Sequence, residues 1–239
     1  YTLAKVHGLT DVLLVDERPP LSLTSDKSTE CYRNWWPGPG DAMVRMMNRS
    51  IDLLDELARA CGNLFHLNRR GYLYTTAQPD GTATLRAFAE EASALGAGEL
   101  RTHGAGSNNY APHAPEGFED AVSGADLFTD LDLIQTHFPY LSTTITAALH
   151  VRRAGWLSAQ QLGQYLLDEA RELGVRFIQD RVDAVDVAAG RVSGVQLREH
   201  GAVSANTFLN AAGPLIGEVA SMLGIDLPVR PVKGYSITL

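Results

Sequence analysis

Glu17 closes a short apolar run, Val12-Leu13-Leu14-Val15, with Asp16 before it and Arg18 after it. A carboxylate so placed can accept hydrogen bonds from a ribose diol, the task it has at the end of the second strand of a dinucleotide-binding unit. Its alternative is that of a solvated acid at a strand end. Far along the chain stands Asn210-Ala211-Ala212-Gly213-Pro214. Proline at the first turn of a helix forfeits nothing, and backbone N–H groups beside a glycine that allows close approach suit the polar edge of a cofactor. The seven histidines lack neighbours at ligand spacing, so no metal site is expected, and His66 and His150 read as structural. Two cysteines, Cys31 and Cys61, are too few for a disulfide framework and fit a reducing cytosol, so a cytoplasmic protein is expected.

These residues need elements to hold them. The run ending in Glu17 reads as a strand covered on both faces, as parallel strands are. Tyr1 to Gly8 has the form of the rear of a helix with a C-terminal glycine, which puts a first strand and its G-x-G-x-x-G ahead of Tyr1. The chain is therefore expected to be a fragment, its other end falling inside a strand at Ile237-Thr238-Leu239. From Pro19-Pro20 to Gly40 the prolines and small polar residues predict a long loop, in which Trp35 and Trp36 must pack against something. Asp41 is placed to cap a helix running to Cys61, with Met43, Val44, Met47, Ile51, Leu54, Leu57 and Ala58 on one face and Gly62 after it.

Phe65 to Thr76 reads as a strand or hairpin and residues 82 to 95 as a helix, while Gly96 to Gly124 shows no assignable pattern. A short helix and turn follow over Asp126 to Leu141, then a strand near Ala147 to Arg152. Ser158-Ala159-Gln160-Gln161 has capping-box spacing before a helix that Gly174 ends, and Val175 to Ile178 begins a strand. Val182 to Val187 and Arg191 to Leu197 alternate around Ala189-Gly190 as a hairpin does. A strand at Thr207 to Leu209 and a helix from Pro214 to Leu223 complete the series.

A chain of 239 residues with 45% hydrophobic content can bury a real core and hold more than one domain. Its net charge of −8, without a basic stripe, argues against nucleic acid as the main partner. No apolar run approaches the ~20 residues that span a bilayer.

Taken in order, Tyr1-Thr2-Leu3-Ala4-Lys5, Val12-Leu13-Leu14-Val15-Asp16-Glu17-Arg18, Leu23-Thr24-Ser25, Arg70-Gly71-Tyr72-Leu73, Gly155-Trp156-Leu157, Gly190 to Val195 and Asn210 to Pro214 resemble the FAD-dependent oxidoreductases of the D-amino-acid oxidase type. That family includes glycine oxidase, sarcosine oxidase and dimethylglycine dehydrogenase. The resemblance implies an α/β fold in which a Rossmann-like FAD-binding domain, residues 1–62 and 151–225, is interleaved with an α+β substrate domain carrying a mostly antiparallel sheet, residues 63–150 and from 226 to 239. It implies that Glu17 binds the adenosine ribose, Arg18 flanks the adenine side, and Thr24, Ser25, Lys27 and Ser28 approach the pyrophosphate or flavin. The Val182 backbone would meet the adenine, and Ala211, Ala212, Gly213 and Pro214 would run close to FAD.

The same resemblance makes Arg33 the partner of a substrate carboxylate, the alternative being a salt bridge to Glu30 or Asp26; Tyr72, with Tyr32, Trp35, Trp36 and Tyr74, is a candidate wall of the site, the alternative for each being plain packing. Glu30 stands where some relatives carry a histidine linked to FAD, so non-covalent FAD is expected. The implied reaction oxidises the C–N bond of a small amino acid or N-methylated amine by hydride transfer to flavin, with O₂ or another carrier as electron acceptor. Two alternatives stand beside it: a nicotinamide-dependent dehydrogenase, and a flavin-binding assembly protein without turnover.

Overall fold

The computed structural model describes residues 1–25 and 27–232. In chain order its elements are α1 (Thr2–Lys5), β1 (Leu13–Asp16), β2 (Cys31–Arg33), α2 (Ala42–Ala60), β3 (Tyr72–Thr76) and α3 (Gly81–Ala92). Then come β4 (Leu100–His103), β5 (Ala125–Phe128), α4 (Leu131–His137), β6 (Ala147–Val151), β7 (Ala154–Trp156), α5 (Ala159–Glu172) and β8 (Arg176–Gln179). The described chain finishes through β9 (Val182–Ala188), β10 (Arg191–Leu197), β11 (Gly201–Ser204) and α6 (Ile216–Ser221). These gather into two compact units, Tyr1–Ser28 with Ala159–Leu239, and Thr29–Ser158.

In the first unit β1 and β8 pair in parallel, Leu13 opposite Arg176 and Asp16 opposite Gln179. Helix α5 returns the chain between them, and Gly174, at φ +99°, follows just past its end. Ala4 of α1, Ala170 of α5 and Val175 form one small core, on which Val12 packs. Val15 faces another, made by Val185, Val195 and Leu197 of the β9–β10 hairpin with Phe208 and Met222. The expected cover on both faces of β1 is not found: β8 flanks one edge, no described strand flanks the other, and Leu14 is 44% exposed. Nor is Thr207–Leu209 a strand. The third strand of that sheet is β11, paired with β10, while 207–209 runs on without a ladder partner among the described residues.

The second unit is built on a four-stranded sheet in the order β3-β6-β5-β4, antiparallel except for the β4–β5 pair. One face, with Leu127, Leu149, Tyr72 and Tyr74, packs on α3 and on Trp35, which is wholly buried. Each such apolar side chain withdrawn from water contributes roughly 1.5–3 kcal/mol. Helix α2 joins this unit and not the first, because Asn48, Asp52 and Asp55, a turn apart on one side, bond to Asn34, Arg153 and Arg69. The division thus falls after Ser28 and Ser158, where the sequence placed it after 62 and 150.

Local expectations are also revised. Asp41 precedes α2 without a side-chain cap bond and lies 3.8 Å from Arg45 instead, and Met43 is exposed. Phe65 and Leu67 are buried in a turn, and only Tyr72–Thr76 is strand. Ala125–Phe128 is a strand buried at every position ahead of the short helix α4, whose cap is the Asp130 side chain. The expected strand at Ile237–Leu239 lies outside the described residues.

Candidate functional site

In the first unit the acid predicted at the strand tip meets the far end of the sequence through one arginine. Arg181 places Nη1 3.0 Å from Glu17, Nε 3.4 Å from Asp183 and Nη2 3.9 Å from Glu218 of α6. The tip of β1, the start of β9 at Val182 and the helix that follows Pro214 therefore share one side of this unit. Glu17 is about one-third exposed, with Arg18 at 3.7 Å, so its carboxylate keeps access to solvent and to a ligand.

The stretch before α6 presents main chain. Ala212 N–H donates to Asn210 Oδ1 and Asn210 Nδ2 donates to the Ile216 carbonyl, which curls the segment into a tight turn. Gly213 has φ +53°, a left-handed conformation that a side chain would strain, and the space a Cβ would enter is open. Thr24 and Ser25 lie in the turn-rich segment after β1, which Leu21 seats over Gly163 of α5. Their hydroxyls have no hydrogen-bond partner among the described residues, and Lys27 and Ser28 continue the segment, exposed. The carboxylate of Glu17 as acceptor, backbone bearing only small side chains, and the Thr24 and Ser25 hydroxyls form a set that fits a dinucleotide.

In the second unit Arg33, at the end of β2, is held by rings. Its guanidinium carbon is 4.3 Å from the centre of the Trp36 ring, 4.7 Å from Tyr72 and 5.9 Å from Tyr74, and its Nε donates to the Tyr74 hydroxyl at 2.5 Å. No carboxylate among the described residues pairs with it; Asp26 lies outside them. Burial pushes the Tyr74 phenol up, against the pull of the Arg33 charge. Of the other expected wall residues, Trp35 belongs to the core, and the Tyr32 hydroxyl bonds Arg69 and the Asn68 carbonyl.

The opposite face of the sheet carries a charged cluster that sequence reasoning missed. Asp126 on β5, 2% exposed, accepts from Arg101 at 2.7 and 3.0 Å, from Arg152 at 3.2 Å and from His103 Nε2 at 2.8 Å. Burial alone would push its carboxyl up; the bonds from Arg101 and His103 outweigh that and hold it below the usual range. Beside it His150 Nε2 donates to the Arg70 carbonyl and Nδ1 accepts from the Tyr110 hydroxyl, each at 2.9 Å. Burial lowers His150 to about 4 and raises Tyr110 to about 12, so both are neutral at pH 7. Gly71, at φ +90°, is required here, because a Cβ would stand 1.9 Å from His150 Nε2. The unassigned segment before Gly124 covers the cluster: Ala111 and Pro115 offer carbonyls to Arg152 and Arg70, both at 2.7 Å. Among the described residues no group of His, Cys, Asp and Glu could hold a metal, and no helix is long and apolar enough to cross a membrane.

The family model described as FAD dependent oxidoreductase (DAO) matches residues 1–239. A D-amino acid dehydrogenase of Bradyrhizobium diazoefficiens is 42% identical over 77 residues, 32% of this chain and 18% of that protein. Among solved structures, glycine oxidase from Geobacillus kaustophilus superposes with a TM-score of 0.72 at 14% identity, over 92% of this chain and 53% of that one. L-proline dehydrogenase from P. horikoshii gives 0.70 at 18%, over 90% and 49%. At these identities the structures show the shared mixed α/β fold. The chain spans about half the length of these structures and a smaller share of the curated relative.

Proposed function

This chain belongs to the DAO family of FAD-dependent oxidoreductases, and from that premise we propose that it is part of an enzyme oxidising the C–N bond of a small amino acid or N-methylated amine. The observation that carries the substrate side is Arg33, a cation held by aromatic faces and a neutral hydroxyl, with no carboxylate among the described residues to neutralise it. A guanidinium in that state is matched to a carboxylate from outside, which it grips through two parallel N–H groups. The relatives, a D-amino acid dehydrogenase and a glycine oxidase among them, are named for such ligands.

The first unit would serve as the cofactor domain and the second as the substrate domain. Glu17 would accept from the ribose, with Arg181 close enough to retain the acid's orientation as the sugar hydroxyls arrive. Arg18 and the Val182 backbone would lie on the adenine side, Thr24, Ser25, Lys27 and Ser28 would donate to phosphate or flavin, and Ala211 to Pro214 would let the isoalloxazine approach the main chain. Bound FAD supplies the hydride acceptor. Arg33 then fixes the carbon whose hydrogen leaves, by anchoring the carboxylate next to it, and Tyr72 packs beside the anchor. Non-covalent attachment and O₂ or another carrier as acceptor belong to the same proposal. The nicotinamide alternative is set aside by the family assignment.

Anaerobic addition of glycine, sarcosine, dimethylglycine, proline and D-alanine to the full-length flavoprotein tests this reading. Bleaching of the flavin band by at least one is expected. No bleaching by any amino acid, with dithionite still reducing the flavin, supports the assembly-protein alternative and overturns the enzymatic one.

A further inference from the structure

We propose that Tyr74 is a positioning residue which holds Arg33 by its Nε alone, so that a carboxylate can be received only by the two terminal Nη groups. The inference rests on Arg33 being the carboxylate anchor. A guanidinium offers two bidentate edges, one using Nε with an Nη and one using both Nη groups. The Tyr74 hydroxyl, 2.5 Å from Nε, occupies the first. The rings of Trp36 and Tyr72 lie against the guanidinium carbon, and no group among the described residues accepts from the second edge.

The choice of a phenol matters. Arg69 is fixed by Asp55 at 2.5 Å and Arg101 by Asp126 at 2.7 Å, and each carboxylate cancels the charge it fixes. Tyr74 fixes the direction of Arg33 and leaves its charge whole, because a phenol whose acidity burial suppresses donates no negative charge in return. Tyr74 is itself held by edge contact with Phe88, centres 5.2 Å apart, and by Tyr72 at 4.9 Å. The hydroxyl therefore stands on a packed ring, and the ligand's carboxylate plane is set by protein groups that never touch it.

Benzoate serves as the probe, titrated calorimetrically into the full-length FAD-loaded protein and into Tyr74→Phe and Arg33→Gln. The expected result is about tenfold weaker binding in Tyr74→Phe, the scale of one hydrogen bond to a charged group, and a loss of roughly a hundredfold or more in Arg33→Gln. Wild-type affinity in Tyr74→Phe with loss in Arg33→Gln overturns the positioning role and leaves the anchor standing. Unchanged affinity in Arg33→Gln overturns both. A readout independent of any folding defect is the NMR spectrum of the wild-type arginine side chains, with Arg33 signals identified by their absence from Arg33→Gln. Benzoate should shift the Arg33 Nη signals and leave its slowly exchanging Nε–H in place, whereas displacement of the Nε–H signal overturns the proposal.

Discussion

Arg33 and Arg152 lie in the same unit, and each is surrounded by aromatic rings and hydrogen-bond acceptors, yet they are kept in opposite states. Arg152, 3% exposed, donates hydrogen bonds to Asp126 and to the Ala111 carbonyl and has Tyr110 against its guanidinium. Its charge is consumed inside the protein. Arg33 is met by rings and one neutral hydroxyl, and no carboxylate among the described residues pairs with it. On the function proposed here, the difference separates an arginine that belongs to the fold from one kept for a ligand, and burial alone does not make the distinction; the identity of the acceptor does.

The largest effect should come from removing the acceptor that consumes charge. Asp126→Ala leaves Arg101, Arg152 and His103 facing a buried void, and a loss of roughly 3–5 kcal/mol is expected in chemical denaturation. A loss near zero would mean the cluster is solvated. The next effect is a pH dependence confined to the same cluster. His150 has a folded pKa near 4 against about 6.5 in an unfolded chain, so the unfolded state binds more protons between those values and stability falls as pH falls through that window. Between pH 7.5 and pH 5 about 2 kcal/mol should be lost, and His150→Gln should flatten the slope. Burial also lowers His113 and His137, which add in the same direction.

A smaller effect belongs to the cofactor side. Gly213→Ala meets no atom but must hold φ +53°, so about 1 kcal/mol of strain is expected, and FAD affinity should fall more than stability because the methyl group enters the open space beside the turn. Equal losses in both would make the turn a structural corner only.

How far these features were legible in the sequence follows from the kind of order each uses. The β1, α5, β8 passage and the β9–β10 hairpin are local, with one face buried, and periodicity and glycines marked them. The family phrases pointed to Glu17 and the Ala211–Pro214 turn as cofactor candidates, and the place of Arg33 after the Thr24-Ser25 turn made it a substrate candidate. Strand β2 is three residues inside a loop rich in proline and glycine, and its ladder partner β7 is more than a hundred positions away, so nothing local signals it. Strand β5 is buried on both faces and carries Asp126 within it, which mimics a helix start. The charged cluster draws on β4, β5 and β6 and on the covering segment. Its histidines looked isolated because their partners are neighbours only across the sheet. The role of Tyr74 is invisible in the same way, since β3 brings it to Arg33 from forty-one positions along the chain.

The account stands most directly on one pair of readings from a single variant, the unfolding midpoint and the benzoate dissociation constant of Arg33→Gln in the full-length flavoprotein. An arginine reserved for a ligand should give a stability loss of only about 1 kcal/mol, the scale of its ring contacts, with benzoate binding gone. A variant that unfolds early while still holding benzoate would show that Arg33 is spent on the fold, and the contrast with Arg152 would collapse.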